Sequence, residues 1–299
     1  MQGKRGMSEP RRHKDNLAAL PLVAPFVAVY AALFLYPSVQ MVLMSLTDAQ
    51  LTLPGGWIGL DNYVRLLGDR KFGTAVVNTL SFVAMTVVPG TLAGLGLALL
   101  VNRLAGRWQA IALAVFFIPY ILPVSTVTAI AWALTDTANG PLGGLVRLPN
   151  GEPGLLWRNM GAFLPGVAVL TIWWTAGFNV LIFLAGLKAL PPELYEAARL
   201  DGAGRWTLFS RLTWPLIWPV TALVATIQLI VQLKVFDQVF LMVAGGRTDP
   251  TMVLVQYIYT VAFQRNQGGY ASAVAVALFA IVVIVAVLQF QLTRIRSAR

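Results

Sequence analysis

Cysteine is absent from all 299 residues. That excludes disulfides and thiolate metal sites and leaves the redox compartment open. Histidine occurs once, as His13 in a polar N-terminal stretch. A single imidazole offers no His-based metal site and no His-centred acid–base cluster. Charged residues are scarce at 11%, against about a quarter in soluble domains. Lys and Arg still outnumber Asp and Glu, 22 to 12. No basic run is interleaved with aromatics as a nucleic-acid groove would require, so nucleic acid is not an expected partner. In an oily chain such an excess reports topology instead. A G-x-x-x-x-G-K-[ST] loop is also missing, so the chain has no phosphate cradle of that kind.

What is present is apolar: 58% of residues are hydrophobic and the mean hydropathy is +0.72. Charge-free runs cover residues 16–47, 72–102, 108–135, 159–187, 212–233 and 266–293. Each exceeds the ~20 residues that cross a hydrocarbon core. They predict an all-α membrane protein with the lipid bilayer as its surroundings. Its six transmembrane helices fall at about 18–46, 73–101, 109–134, 161–187, 212–233 and 269–292. Residues 1–15 and 294–299 read as tails flanking one membrane domain, 16–293. The basic "RRHKD" before the first run resembles a signal-peptide start. The run is too long for an h-region of ~7–15 residues, so an uncleaved span is expected.

Six spans place both termini on one side. With that side inside, inner segments hold fourteen Lys and Arg and outer segments eight, which predicts cytoplasmic termini. Residues 250–264 are charge-free but short and carry Gln256 and Gln264; a surface or re-entrant helix is expected rather than a seventh span. In 59–72, Leu60, Tyr63, Val64 and Leu67 recur at helical spacing and predict a short surface helix. Gly90 and Gly94 form a GxxxG that reads either as a close helix contact or as ordinary small residues in a membrane helix. Pro119 and Pro123 predict a kink in the third span.

Seven charges then gather between Lys188 and Arg211. Burying them in lipid would cost about 18–25 kcal/mol, so the segment belongs in water or against protein. Pro191-Pro192 suits a helix start, Glu193 and Glu196 suit its first turns, and Gly202 suits a left-handed stop. A second short helix carrying Trp206, Phe209 and Leu212 should follow. The expected shape is a helix–turn–helix elbow with a mixed surface suited to docking; the plain alternative is a solvated loop.

The run "EAARLDGAGRWTLFSRLTWP" (196–215) resembles the EAA loop of permease subunits from binding-protein-dependent ABC importers. Glu196, Ala197, Ala198, Asp201, Gly202, Ala203, Phe209 and Pro215 match its pattern. Leu212 and Trp214 depart from it but stay apolar. "GLDNYVRLL", "NTLSF", "FIPYILP" and "KVFDQVFLMVAGG" look like the sugar and glycerol-phosphate branch, and most like its maltose-type first permease. The resemblance implies that the loop at 188–211, between spans 4 and 5, is a cytoplasmic coupling helix. ATPase contact would fall to Glu196, Ala197, Ala198, Asp201, Gly202 and Ala203. It also implies a bacterial inner-membrane location, a second permease subunit, a cytoplasmic ATPase dimer and an extracytoplasmic solute-binding protein as partners. ATP and Mg would be bound by the ATPase, with no cofactor in this chain.

A sugar path combines aromatic faces with hydrogen-bonding side chains. By resemblance Trp174, Thr175, Phe178 and Gln238 are candidates for it. Polarity adds Asn179, Gln228 and Gln232. The plain reading of each is packing or a helix-to-helix hydrogen bond. Lys234 and Asp237 are spaced to form a structural ion pair. The alternative function is a secondary, ion-coupled carrier, which needs ionisable groups inside its spans; these runs have none. A membrane-embedded enzyme would need clustered carboxylates or an activated nucleophile, and the acidic residues are scattered through loops.

Overall fold

The computed structural model describes residues 23–135, 140–143, 160–243 and 250–297. The tail predicted at 1–15, residues 18–22 of the first predicted span, and residues 298–299 lie outside that set. Among the described residues there is no strand, and one isolated bridge pairs Thr47 with Trp57. The helices are α1 (Val23–Met44), α2 (Asp61–Gly68), α3 (Arg70–Val101), α4 (Gly106–Ile121), α5 (Val124–Thr135) and α6 (Met160–Lys188). They continue as α7 (Pro192–Leu200), α8 (Arg205–Leu233), α9 (Asp237–Val243), α10 (Leu254–Tyr259) and α11 (Gly268–Ser297).

Among the described residues, five helices are long and apolar enough to cross a membrane: α1, α3, α6, α8 and α11. The predicted third span is not one kinked helix. It is broken into α4 and α5, bent by 99°, and makes a sixth crossing only if the pair is read as one. The cause is local. Leu122 precedes Pro123, whose ring disfavours helical backbone in the residue before it. Leu122 is accordingly extended, with φ −68 and ψ 138.

Prolines shape two other helices less severely. A widened π-turn at Ala31–Leu35 comes just before Pro37, and another at Leu208–Thr213 just before Pro215. An extra residue in the turn relieves the clash between the proline ring and the preceding carbonyls. The helix of the fifth span therefore runs back unbroken to Arg205, and the expected separate short helix is its first turns.

The core lies where α3, α6 and α8 meet. Leu95, Ala98, Val180, Phe183, Leu184, Ile217 and Val224 are buried together there. The GxxxG question is settled by this contact: a Cβ on Gly94 would lie 2.5 Å from Asn179 Cβ. No larger residue fits without moving α3 away from α6, as close helix packing through small residues demands. A Cβ on Gly177 would likewise lie 2.1 Å from the Phe116 carbonyl oxygen, which seats α4 against α6. Helix α1 stands apart, packing chiefly on α11, with Phe26, Leu33 and Phe34 exposed. Such a surface would be a liability in water, but in a bilayer it faces its own solvent.

The end opposite the 188–205 segment is tied together by side chains. Asn62 donates to the Ser45 and Thr47 carbonyls at 2.9 and 2.8 Å. Asn78 donates to the Pro250 and Met252 carbonyls, both at 2.9 Å. The Leu254 amide donates to Thr79 Oγ1 at 2.9 Å. These bonds bear on two expectations. Helix α2 forms as predicted, but Leu60, Val64 and Leu67 face outward while Asn62 and Leu66 are buried, because Asn62 turns its own face onto the residues that follow α1. Of the two readings of 250–264, surface or re-entrant helix, burial counts against the first. Leu254, Gln256, Tyr257 and Val261 are buried, packed between α3 and α11.

Candidate functional site

Helix α7 forms the elbow. Pro191 caps it in extended conformation and Pro192 occupies its first turn, where a missing N–H costs nothing. Its other end is a full Schellman motif. The Ala203 amide donates to the Ala198 carbonyl at 2.9 Å, and the Gly202 amide to the Arg199 carbonyl at 3.0 Å. Gly202 has φ +81, a conformation glycine adopts without the Cβ clash of other residues. Of the candidate contact residues, Glu196, Ala197, Asp201 and Gly202 are exposed, and Ala198 and Ala203 are half-buried. Leu200 is 90% exposed. The elbow is held to the bundle at few points: Tyr195 donates to Thr213 Oγ1 at 3.1 Å, and Lys188 bonds Gln109, which donates to the Val101 carbonyl at 3.1 Å.

A polar seam crosses the bundle where α3, α6 and α8 meet. Gln228 Nε2 donates to Asn179 Oδ1 at 2.9 Å, and lies 3.5 Å from Thr175 Oγ1. Asn179 Nδ2 donates to the Gly90 carbonyl at 3.2 Å. Gln232 Nε2 donates to Gln228 Oε1 at 3.2 Å. Asn179 is 0% exposed and Gln232 1%. Four of the sequence candidates, Thr175, Asn179, Gln228 and Gln232, are thus brought into one buried network. The i,i+4 spacing of Gln228 and Gln232 put both on one face of α8. In a low-dielectric interior each satisfied bond ties two helices, and each unsatisfied atom costs. Gln232 Oε1 is buried without a partner.

The remaining candidates lie elsewhere. Trp174 donates from Nε1 to the Leu122 carbonyl at 3.3 Å, an acceptor exposed by the break between α4 and α5. Phe178 stacks on Tyr120, with centroids 5.1 Å apart and planes 22° apart. Both are half-buried against that break. Gln238 is half-buried on α9 and takes no part in the bonds of the seam. Lys234 caps α8 and Asp237 opens α9 across the intervening bend, and they form no ion pair among the described residues. The bend separates two positions that a continuous helix would have brought together.

Sequence reasoning missed Tyr120, the Gly90 carbonyl and the α9–α10 aromatic array. In that array Phe236, Phe240, Tyr259 and Phe263 meet with centroids 5.0–5.6 Å apart. Pro119-x-x-x-Pro123 was the one available signal, since a broken helix leaves a carbonyl free. Nothing local in the sequence pairs Tyr259 with Phe236.

The sequence matches the family described as binding-protein-dependent transport system inner membrane component over residues 90–296. The sulfoquinovosyl glycerol transport system permease protein of Agrobacterium fabrum is 33% identical, over 95% of this chain and 92% of its own. The arabinooligosaccharides transport system permease protein of Bacillus subtilis is 31% identical, over 94% of this chain and 90% of its own. A chain from the crystal structure of a bacterial ABC transporter involved in import of the acidic polysaccharide alginate shares the fold, with a TM-score of 0.82 at 23% identity. That alignment covers 95% of this chain and 99% of the other. By a family match over most of its length and relatives that it spans nearly end to end, this chain belongs to the inner membrane components of binding-protein-dependent transport systems.

Proposed function

We propose that this chain is one half of the translocation pathway of an ATP-driven importer of a sugar or a related glycoside or polyol, and that α7 is its coupling helix. The observation that carries this reading is the elbow. It is a rigidly capped helix with an exposed mixed surface, tethered to the bundle by few side chains and joined directly to α6 and α8. A push on α7 reaches the polar seam along two helices. ATP and Mg belong to a cytoplasmic ATPase dimer in this reading, and a second permease and an extracytoplasmic solute-binding protein complete the assembly. Both termini and the elbow lie on the cytoplasmic side.

The substrate class follows from relatives named for sulfoquinovosyl glycerol and arabinooligosaccharides and from the chemistry of the bundle. Trp174, Phe178 and Gln238 are half-buried and suited to line the path. Thr175, Asn179, Gln228 and Gln232 reach it when the seam opens. An ion-coupled carrier has no support from any specific feature of the spans.

The test is reconstitution. Expressed with a second permease and an ATPase from its own genome, the chain should co-purify with both, and the complex should hydrolyse ATP faster when sugar-loaded binding protein is added. A lone chain that transports on an ion gradient would overturn the reading.

A further inference from the structure

A cleft of about 770 Å³ lies behind the elbow, between the end of α3, α7 and the first turns of α8. Its size falls in the range of small-molecule sites, about 300–1,000 Å³. Three guanidinium side chains line it, those of Arg103, Arg199 and Arg205, and no carboxylate does. The arginines form no ion pair among the described residues. The acidic residues of the elbow, Glu193, Glu196 and Asp201, lie outside the lining.

The rest of the wall is amphipathic. Tyr195 is fixed by its bond to Thr213. Trp206 is 75% exposed and begins an aromatic ladder, 5.8 Å from Phe209, which lies 6.4 Å from Trp214. That ladder climbs from the cleft into the apolar part of α8. Nearby, Arg107 sits 5.4 Å over the ring of Trp108, itself exposed. Tryptophan beside arginine at the ends of spanning helices marks the membrane–water boundary. Basic pockets between helices on the cytoplasmic side suit phosphate-bearing headgroups, because that leaflet is anionic. Guanidinium forks match phosphate oxygens bidentately.

We infer that this cleft binds the phosphate headgroup of an anionic phospholipid, with Arg103, Arg199 and Arg205 on the phosphate and the Trp206–Phe209 ladder beside the upper acyl chain. The inference rests on the cytoplasmic placement of the elbow proposed above and needs neither ATPase nor substrate. A lipid held there bridges the end of α3 to α7. It would therefore set how freely the elbow moves.

The test uses the full chain purified in mild detergent, with native mass spectrometry to count retained lipid. Phosphatidylglycerol should be retained over phosphatidylcholine. Arg103→Gln and Arg205→Gln should each weaken retention roughly fivefold, and together about 25-fold; Arg205→Lys should recover part of it. Arg70→Gln, at the opposite end, should change nothing. Equal retention of the two lipids, or an unchanged double variant, overturns the proposal. So does an equal loss in Arg70→Gln, which would mean bulk charge. Displacement by millimolar inorganic phosphate would show a free-anion site instead. A double variant that keeps lipid but no longer co-purifies with an ATPase would assign the cleft to a protein partner. If the double variant fails to fold, brominated phosphatidylglycerol gives the answer on the intact cleft: it should quench wild-type fluorescence by a component missing from Trp206→Phe. Glu196→Lys, aimed at coupling, should retain lipid normally, so the two readings fail separately.

Discussion

The two ends of the bundle are built differently. At the end opposite the elbow, Asn62, Asn78 and Asp69 each hold two or more partners from other segments or from a helix start. Asp69 caps α3, accepting from the Lys71 amide at 2.9 Å. Its other oxygen accepts from Tyr257 and, at 2.7 Å, from Tyr270. Arg65 adds a stack 4.0 Å over the Tyr270 ring and a 2.9 Å bond to Gln267. At the elbow end, exposed charges stand without ion pairs among the described residues, and Tyr195 and Lys188 supply the tethers. The contrast teaches where motion is affordable. One end is over-determined by side-chain bonds, while the other keeps a stiff helix on a loose mounting, and the polar seam lies between them.

The largest effect should come from breaking the elbow. Gly202→Val forces a β-branched residue into a left-handed conformation, costing at least about 1–2 kcal/mol locally and releasing the Schellman turn. Glu196→Lys reverses an exposed charge. Both chains should still insert and purify, and substrate-stimulated ATP hydrolysis of the assembled complex should fall at least roughly tenfold, the factor that 1.36 kcal/mol represents. Normal uptake by both variants would show that the loose end is not the coupling end.

Next comes the seam that joins the two ends. Gly94→Val places methyl groups where Asn179 already stands and should cost about 1–3 kcal/mol by overpacking, read as a lowered melting temperature of the purified chain. An unchanged melting temperature would mean that α3 and α6 separate freely. A smaller and more selective effect is expected from Trp174→Ala. It removes the indole that holds the Leu122 carbonyl and, in the proposed path, a stacking face. Uptake should fall by about fivefold for a sugar that uses this face and less for one that does not, with basal ATPase activity near that of the wild type. Equal losses for every sugar, with ATPase falling in step, would make Trp174 purely structural.

The smallest effect should come from the tied end. Partial burial pushes the Asp69 carboxyl up, but hydrogen bonds from Tyr257, Tyr270 and the Lys71 and Phe72 amides outweigh it, and it lies below its ordinary value. Its stabilisation is therefore present above the unfolded value of about 3.9 and lost as pH falls through the lower folded one. Burial and the bond to Asp69 push the Tyr257 hydroxyl up to about 12. Its contribution is intact below the unfolded value of about 10 and lost as pH rises through 12. Hydrogen exchange around residues 250–270 should stay flat between these limits and rise outside them. Asp69→Ala should speed it at neutral pH by an amount matching about 1–2 kcal/mol. A steep change near pH 7 would mean that another group holds this end.

Much of this was legible in the chain itself. Long uncharged runs must be helices in lipid, because backbone groups there can only be satisfied internally. Pro192, Glu193 and Gly202 marked both ends of the elbow, because caps are local chemistry between residues a few positions apart. The EAA pattern pointed to the family for the same reason. Short-range signals failed where the answer depended on a distant partner. Pro119 and Pro123 foretold a disturbance, but not a 99° break whose freed carbonyl is taken by Trp174, 52 residues on. The stripe on α2 gave the helix but not its orientation, which Asn62 fixes through the Ser45 and Thr47 carbonyls. Lys234 and Asp237 were spaced for pairing, and a bend parted them.

The candidate path divides in the same way. Polarity and spacing selected Asn179, Gln228 and Gln232 as residues that an apolar span would not carry without reason, and the family resemblance added Thr175. Only the packing of three helices decided that they bond one another. Gly94 allows Asn179 close enough to reach the Gly90 carbonyl. Composition settled that the chain lives in a membrane, because the cost of burying charge is paid residue by residue and can be summed from the sequence. Which polar groups meet is a property of helix distance and rotation, and those are set by contacts between residues that the sequence holds far apart.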